Sequence, residues 1–147
     1  MKIFVYGTLM EGFRNYNKCL KERVLYRTTG ETRGKLYHLP AGYPAMIDGD
    51  DIVKGEIVEI KDEDIKFLDE LEGYYGENEH NMYDRFIREV KTEKTGNLLC
   101  WIYFYRNIDY VKNCGIYIPH GNWRKFAKEM QIKEYVMKSG YDIWKTI

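Results

Sequence analysis

The order in which strand-like and helix-like segments follow one another is what most constrains this chain. "KIFVY" reads as a buried strand, because Ile3 and Val5 are β-branched and Gly7 bounds the run. "RVLYRTTGETRGKLYHL" reads as strand, turn, strand, with Gly30 and Gly34 as breaks, and "IVKGEIVEI" as a half-buried strand packing Val53, Ile57 and Val58. "MYDRFIREVKT" and "NLLCWIYFY", joined by "EKTGN", read as a hairpin. Two clear helices stand among these strands, one on "DEDIKFLDELE" closed by Gly73, the other on "WRKFAKEMQIKEYVMKS" closed by Gly140. About six strands and two helices in an order without βαβ alternation predict an α+β fold with a curved, mixed, mostly antiparallel sheet. Strands of similar length in a small chain could close into a barrel, which periodicity alone does not show.

A chain of 147 residues that is 44% hydrophobic suits a single domain over residues 1–147. Lysine and arginine total 23, as do aspartate and glutamate. With no net charge there is no whole-molecule field to hold a polyanion, which argues against nucleic acid as a partner. No apolar run approaches the roughly 20 residues of a membrane helix, and the first residues enter a strand without a signal pattern, so no membrane partner and a cytoplasmic location are expected. Cys19, Cys100 and Cys114 are odd in number and scattered, and read as free thiols.

Elsewhere the reading is structural. "MEGFRNYNKCL" suggests a loop and a short helical turn, and "PAGYPAMIDGDD" a loop, by its prolines and glycines. In the C-terminal helix Phe126, Met130, Ile132, Tyr135 and Val136 form an apolar stripe, with Asn122 as the cap and Trp123 packed. His38, His80 and His120 lack metal-ligand spacing and no paired cysteine motif occurs, so no metal is expected. A Cys114/His120 pair is six residues apart, a separation that predicts nothing about proximity.

One carboxylate breaks the pattern of the first helix. At 100° per residue, Ile65, Phe67, Leu68 and Leu71 define an apolar arc, and Glu72 falls inside it between Leu68 and Ile65, whereas Glu70 points away. Asp64 also enters the arc, but in the first turn, where the helix dipole favours an acid. Glu72 lies in the last turn, where the dipole and apolar neighbours both raise a carboxyl pKa, as general acid/base work near neutral pH requires. A carboxylate reaching solvent from a frayed helix end is the other reading, and the helical geometry leaves both open.

"FVYGTL", "GYPAM", "VKGEIVEI", "FLDELEG", "MYDRFIREV" and "GNWRKF", in this order along nearly the whole chain, resemble the γ-glutamylcyclotransferase-like superfamily, which includes the γ-glutamylamine cyclotransferases and AIG2-like proteins. The resemblance implies a small β-barrel with flanking helices and one pocket at its end. It places substrate-binding backbone at Tyr6, Gly7, Thr8 and Leu9 and the catalytic glutamate at Glu72. It puts Tyr83 at the pocket rim, with Arg85 beside it as a structural partner for a carboxylate such as Asp69. Tyr105 could also reach the pocket or simply pack in its strand. The loop "GYYGENEHNMYDR" is longer than in many γ-glutamylamine-type members, so the leaving-group side is expected to differ.

The chemistry implied is intramolecular aminolysis. The α-amine of a γ-glutamyl group attacks its own side-chain carbonyl, forming 5-oxoproline and releasing the attached amine, with no cofactor. Glu72 takes and returns the proton, and the Gly7 to Leu9 amides can meet the oxyanion. The expected partner is thus a small γ-glutamyl compound. The alternative is a non-catalytic domain that uses the same pocket to bind a small molecule, a reading against which an uncompensated carboxylate on an apolar helical face weighs. Aromatic residues left over from the core, among 14 tyrosines, would serve a homodimer contact or a substrate rim equally well.

Overall fold

The computed structural model describes residues 1–139, with side chains as far as residue 134. Its strands are β1 (Lys2–Val5), β2 (Tyr26–His38), β3 (Pro44–Glu59), β4 (Tyr83–Thr92), β5 (Gly96–Tyr105) and β6 (Ile116–Ile118); its helices are α1 (Ile65–Glu72), α2 (Ile108–Cys114) and α3 (Trp123–Ser139). A π-helical turn at Tyr16–Leu20 follows β1, and a 3₁₀ turn at Asp62–Asp64 leads into α1.

Five strands close on themselves. β3 lies between β1 and β2, β2 meets β4, β4 meets β5, and β5 returns to β1. The β1–β5 contact, through Ile3 and Trp101, is parallel and the other pairings are antiparallel. Closure leaves these five strands without open edges, and β6 covers the outer end of β2 at Leu36–His38. The fold is thus a mixed, mostly antiparallel barrel with flanking helices. Ile3, Phe4, Val53, Ile57, Leu68 and Ile102 are among the fully buried side chains of the core.

Six strands are present, but not the six expected. The segments on either side of Gly30 and Gly34 are one strand of 13 residues, with a register shift between Arg33 and Lys35. These glycines are not turn residues, since neither has positive φ. A Cβ at Gly30 would stand 2.9 Å from Val90 Cγ1 and one at Gly34 would stand 2.4 Å from Met46 Cε, so both mark close packing. The expected loop "PAGYPAMIDGDD" is mostly strand, because β3 begins at Pro44, the position in a strand that proline tolerates. β6 and the seven-residue α2, capped by Asn107 Oδ1 accepting from Tyr110 N at 3.0 Å, were not foreseen.

The β4–β5 hairpin and α1 fall where the sequence places them, and Gly73 ends α1 with φ 65°. Asn122 Oδ1 caps α3 by accepting from Lys125 N at 3.1 Å, and Trp123 is buried against the ring of His38, 5.5 Å away. The apolar stripe of α3 is shorter than expected, because Ile132 is 56% exposed. The Tyr135 and Val136 side chains and Gly140 lie outside the described residues. No described helix is long and apolar enough to cross a membrane.

Candidate active site

β1 is buried on three of its four residues, and the chain leaves it at Tyr6 to form the wall of a cavity of about 280 Å³. Tyr6, Gly7, Thr8 and Leu9 line this cavity, with Glu72 and Leu71 from the end of α1 and Tyr83 from the start of β4. Thr8 is held by Asn15 Nδ2, which donates to its Oγ1 at 2.8 Å, and by Tyr16 N, which donates to its carbonyl at 3.1 Å. The amides of Gly7, Thr8 and Leu9 make no hydrogen bond among the described residues. Gly7 has no positive φ; a Cβ there would stand 2.1 Å from Pro44 Cγ, so glycine lets β3 close over the loop.

The Glu72 side chain forms no ion pair or hydrogen bond with any described residue. Burial among apolar and aromatic neighbours raises its pKa from 4.5 to about 7. The apolar helical face therefore did place this carboxylate in a desolvated site, and desolvation is the cause of the shift. Its charge is felt by Tyr6, Tyr83 and Tyr103, whose hydroxyls burial holds well above the ordinary range, and by Tyr43.

The deep tyrosine hydroxyls are already committed. Tyr6 donates to the Tyr103 carbonyl at 2.7 Å, Tyr83 to the Pro44 carbonyl at 2.6 Å and Tyr103 to Asp69 Oδ1 at 2.6 Å. Asp69 also accepts from Arg85 Nε at 2.9 Å and Nη2 at 3.2 Å, so Arg85 is the structural partner of Asp69. The cluster fixes the aromatic walls, and none of its hydrogen bonds involves the Glu72 carboxylate.

Tyr105 does not line the cavity. Its ring stands edge-on to Tyr83, with centroids 5.0 Å apart, and stacks on Tyr110 at 6.0 Å. Tyr103, two residues earlier on the same face of β5, takes the inner position. Phe4, Val5, Asn15, Tyr43, Pro44 and Met82 complete the lining, and the last four were not picked out as site residues from sequence. Tyr103 and Tyr105 share one face of β5, and only barrel closure tells which of them reaches the cavity.

A wider depression of about 510 Å³ lies elsewhere, over Gly30, Lys54, Glu56, Lys91 and Arg124. Its part-buried carboxylate differs from Glu72. Glu56 has Arg27 Nη1 at 3.5 Å, Arg124 Nη2 at 3.7 Å and the Glu11 amide at 2.9 Å, so its charge is compensated. The cavity with an unpaired carboxylate is the stronger candidate for chemistry.

Residues 3–125 match the family model described as "Gamma-glutamyl cyclotransferase, AIG2-like". A relative from Niallia circulans, the "Gamma-L-glutamyl-butirosin B gamma-glutamyl cyclotransferase", is 38% identical over 111 residues, covering 75% of this chain and 70% of that protein. An AIG2-like protein from Mus musculus shares the fold with a TM-score of 0.65 at 24% identity, over 83% of this chain and 86% of its own. YkqA from Bacillus subtilis gives a TM-score of 0.61 at 24% identity, and the match spans 97% of this chain but only 43% of that longer one. The chain belongs to the AIG2-like γ-glutamyl cyclotransferase family and is a cyclotransferase-type enzyme.

Proposed function

We propose that this protein cyclises the γ-glutamyl group of a small γ-glutamyl amide, releasing 5-oxoproline and the free amine, with Glu72 as general base and then general acid. The observation that carries the reading is Glu72 itself, an unpaired carboxylate with a pKa raised to about 7 that faces a cavity beside the Gly7 to Leu9 amides.

The α-amine of a bound substrate is protonated at neutral pH and must lose a proton before it can attack. A carboxylate with a pKa near 7 accepts that proton and retains enough acidity to give it up. Attack on the γ-carbonyl forms the new ring C–N bond and a tetrahedral oxyanion. The unpaired Gly7, Thr8 and Leu9 amides are candidates to receive that oxyanion without rearrangement. As the bond to the leaving nitrogen breaks, Glu72 returns the proton to that nitrogen, and the second proton shed by the ring nitrogen ends on the released amine, so no water or cofactor is consumed. Holding the glutamyl chain folded within about 280 Å³ supplies the proximity that ring closure needs.

The Niallia circulans relative, named for γ-L-glutamyl-butirosin B, supports a substrate in which the γ-glutamyl group is a cap on an amine. The test is 5-oxoproline release from γ-glutamyl amino acids, γ-glutamyl-ε-lysine, γ-glutamyl alkylamines and glutathione, with wild type and Glu72→Gln in parallel. Release that is lost in Glu72→Gln supports the reading. Silence of the wild type on every compound, together with a γ-glutamyl ligand raising its Tm, would instead favour a binding domain.

A further inference from the structure

The Glu72 cavity shares a wall with a second depression. Met82 lines it and also lines an outer depression of about 460 Å³ with His80, Asn81, Tyr105, Arg106 and Asn107. Tyr43 stands at the same wall, its hydroxyl 3.8 Å from Met82 Sδ. Tyr43 and Met82 both line the Glu72 cavity, so the outer depression is the neighbouring surface that a leaving amine can meet.

The outer depression is a built surface. Asn81, 8% exposed, donates to the Gly76 carbonyl at 2.8 Å and to Asp84 Oδ1 at 2.9 Å, and accepts from Tyr75 N at 2.7 Å. Met82 N donates to the Gly73 carbonyl at 3.0 Å, and Arg106 Nη1 donates to the Glu79 carbonyl. The 73–82 loop is therefore pinned at both ends and across its middle.

Its chemistry differs from that of the inner cavity. The inner tyrosines have committed their protons, whereas the Tyr105 and Tyr110 hydroxyls donate none of the described hydrogen bonds and Tyr43 touches only sulfur. Tyr105 and Tyr110 stack at 28° and Tyr110 is 36% exposed, so an aromatic face and three hydroxyls stand beside the Met82 wall. The one cation among the lining residues, Arg106, is paired with Asp84 Oδ2 at 3.3 Å. A leaving group carrying a carboxylate finds no unpaired cation on this surface. A hydroxyl-bearing ring finds an aromatic plane for its C–H face and phenols for its hydroxyls.

We propose that the surface formed by Tyr43, Met82, Tyr105, Tyr110 and Asn107 is the leaving-group subsite and selects amines carried on a hydroxylated ring, of amino-sugar type. The inference rests on the cyclotransferase reading of Glu72. The test compares kcat/KM for 5-oxoproline release from the γ-glutamyl amides of glucosamine, alanine and methylamine. The proteins compared are the wild type, Tyr110→Ala and the ring-preserving Tyr110→Phe. In the wild type the glucosamine amide should lead each of the others by about ten-fold. Tyr110→Ala should lower the glucosamine-to-methylamine ratio about ten-fold, through KM, and Tyr110→Phe by less. A wild type that prefers the alanine or methylamine amide, or a ratio unmoved in both variants while 5-oxoproline is still formed, overturns the subsite and leaves the activity standing. A wild type silent on all three but active on γ-glutamyl-ε-lysine or glutathione overturns the subsite alone, and silence on those compounds too removes the cyclotransferase reading and the subsite with it.

Discussion

Gly7 and Pro44 occupy one shared volume: a Cβ on Gly7 would come within 2.1 Å of Pro44 Cγ. The Pro44 carbonyl in turn accepts from the Tyr83 hydroxyl at 2.6 Å. The loop after β1, the first residue of β3 and the first residue of β4 are thereby locked around one cavity. Gly7→Ala must push Pro44 aside. It should cost about 1–3 kcal/mol of stability and reduce turnover more than a surface substitution of equal destabilisation. Denaturant unfolding and steady-state kinetics on the same preparation check this.

Glu72 should weaken the fold where it ionises. Its pKa of about 7 lies above the ordinary 4.5, so the folded state holds a proton that the unfolded chain has released. Below pH 4.5 both states are protonated and the residue carries no penalty. Stability falls as the pH rises towards 7, and above that the full penalty is present. Glu72→Gln should therefore be more stable than wild type at pH 8, by as much as about 3 kcal/mol, and nearly equal to it at pH 4. Urea unfolding at the two pH values decides; a variant less stable than wild type at pH 8 contradicts the desolvated carboxylate.

Asp69 accepts three hydrogen bonds, two from Arg85 and one from Tyr103. Asp69→Ala strands a part-buried guanidinium and a phenol, at a cost of about 2–3 kcal/mol. Arg85→Lys should recover little of the wild-type stability, because a single ammonium cannot reproduce the two-point contact or the stacking of the guanidinium over Tyr74 and Trp101. Thermal unfolding of the two variants measures both effects.

Glu56 ties the far end of the loop after β1. It accepts from the Glu11 amide at 2.9 Å, while Arg124 Nη2 donates to the Glu11 carbonyl at 2.8 Å. Glu56→Ala should lower kcat/KM by about ten-fold through misplacement of the loop amides, and Glu56→Gln, which keeps an acceptor oxygen, should stay closer to wild type. Equal kinetics for the two variants would mean that the tether does not position the loop.

Much of this arrangement was legible in the chain. α1 was readable because Ile65, Leu68 and Leu71 repeat at helical spacing and Gly73 supplies the left-handed stop, and that same spacing exposed Glu72 as a carboxylate on the wrong face. Gly30 and Gly34 misled because a glycine required by a neighbour's bulk looks, in sequence, like one required by a turn. Pro44 misled likewise, as the first residue of a strand and as part of a loop. Tyr103 and Tyr43 went unnoticed because their role comes from barrel closure, which brings β5 and the start of β3 to one cavity from positions about sixty residues apart. The shared hydroxyl chemistry of Tyr43, Tyr105 and Tyr110 has the same origin.

The most direct test of the account is the pH dependence of 5-oxoproline release from a γ-glutamyl amine between pH 5 and 9, for wild type and Glu72→Gln. The account predicts that wild-type kcat/KM carries a limb with an apparent pKa of about 7. In Glu72→Gln that limb should be absent and the rate lower by about 10²–10⁴-fold. A Glu72→Gln protein that keeps the wild-type rate, or the same limb, would show that another group moves the proton.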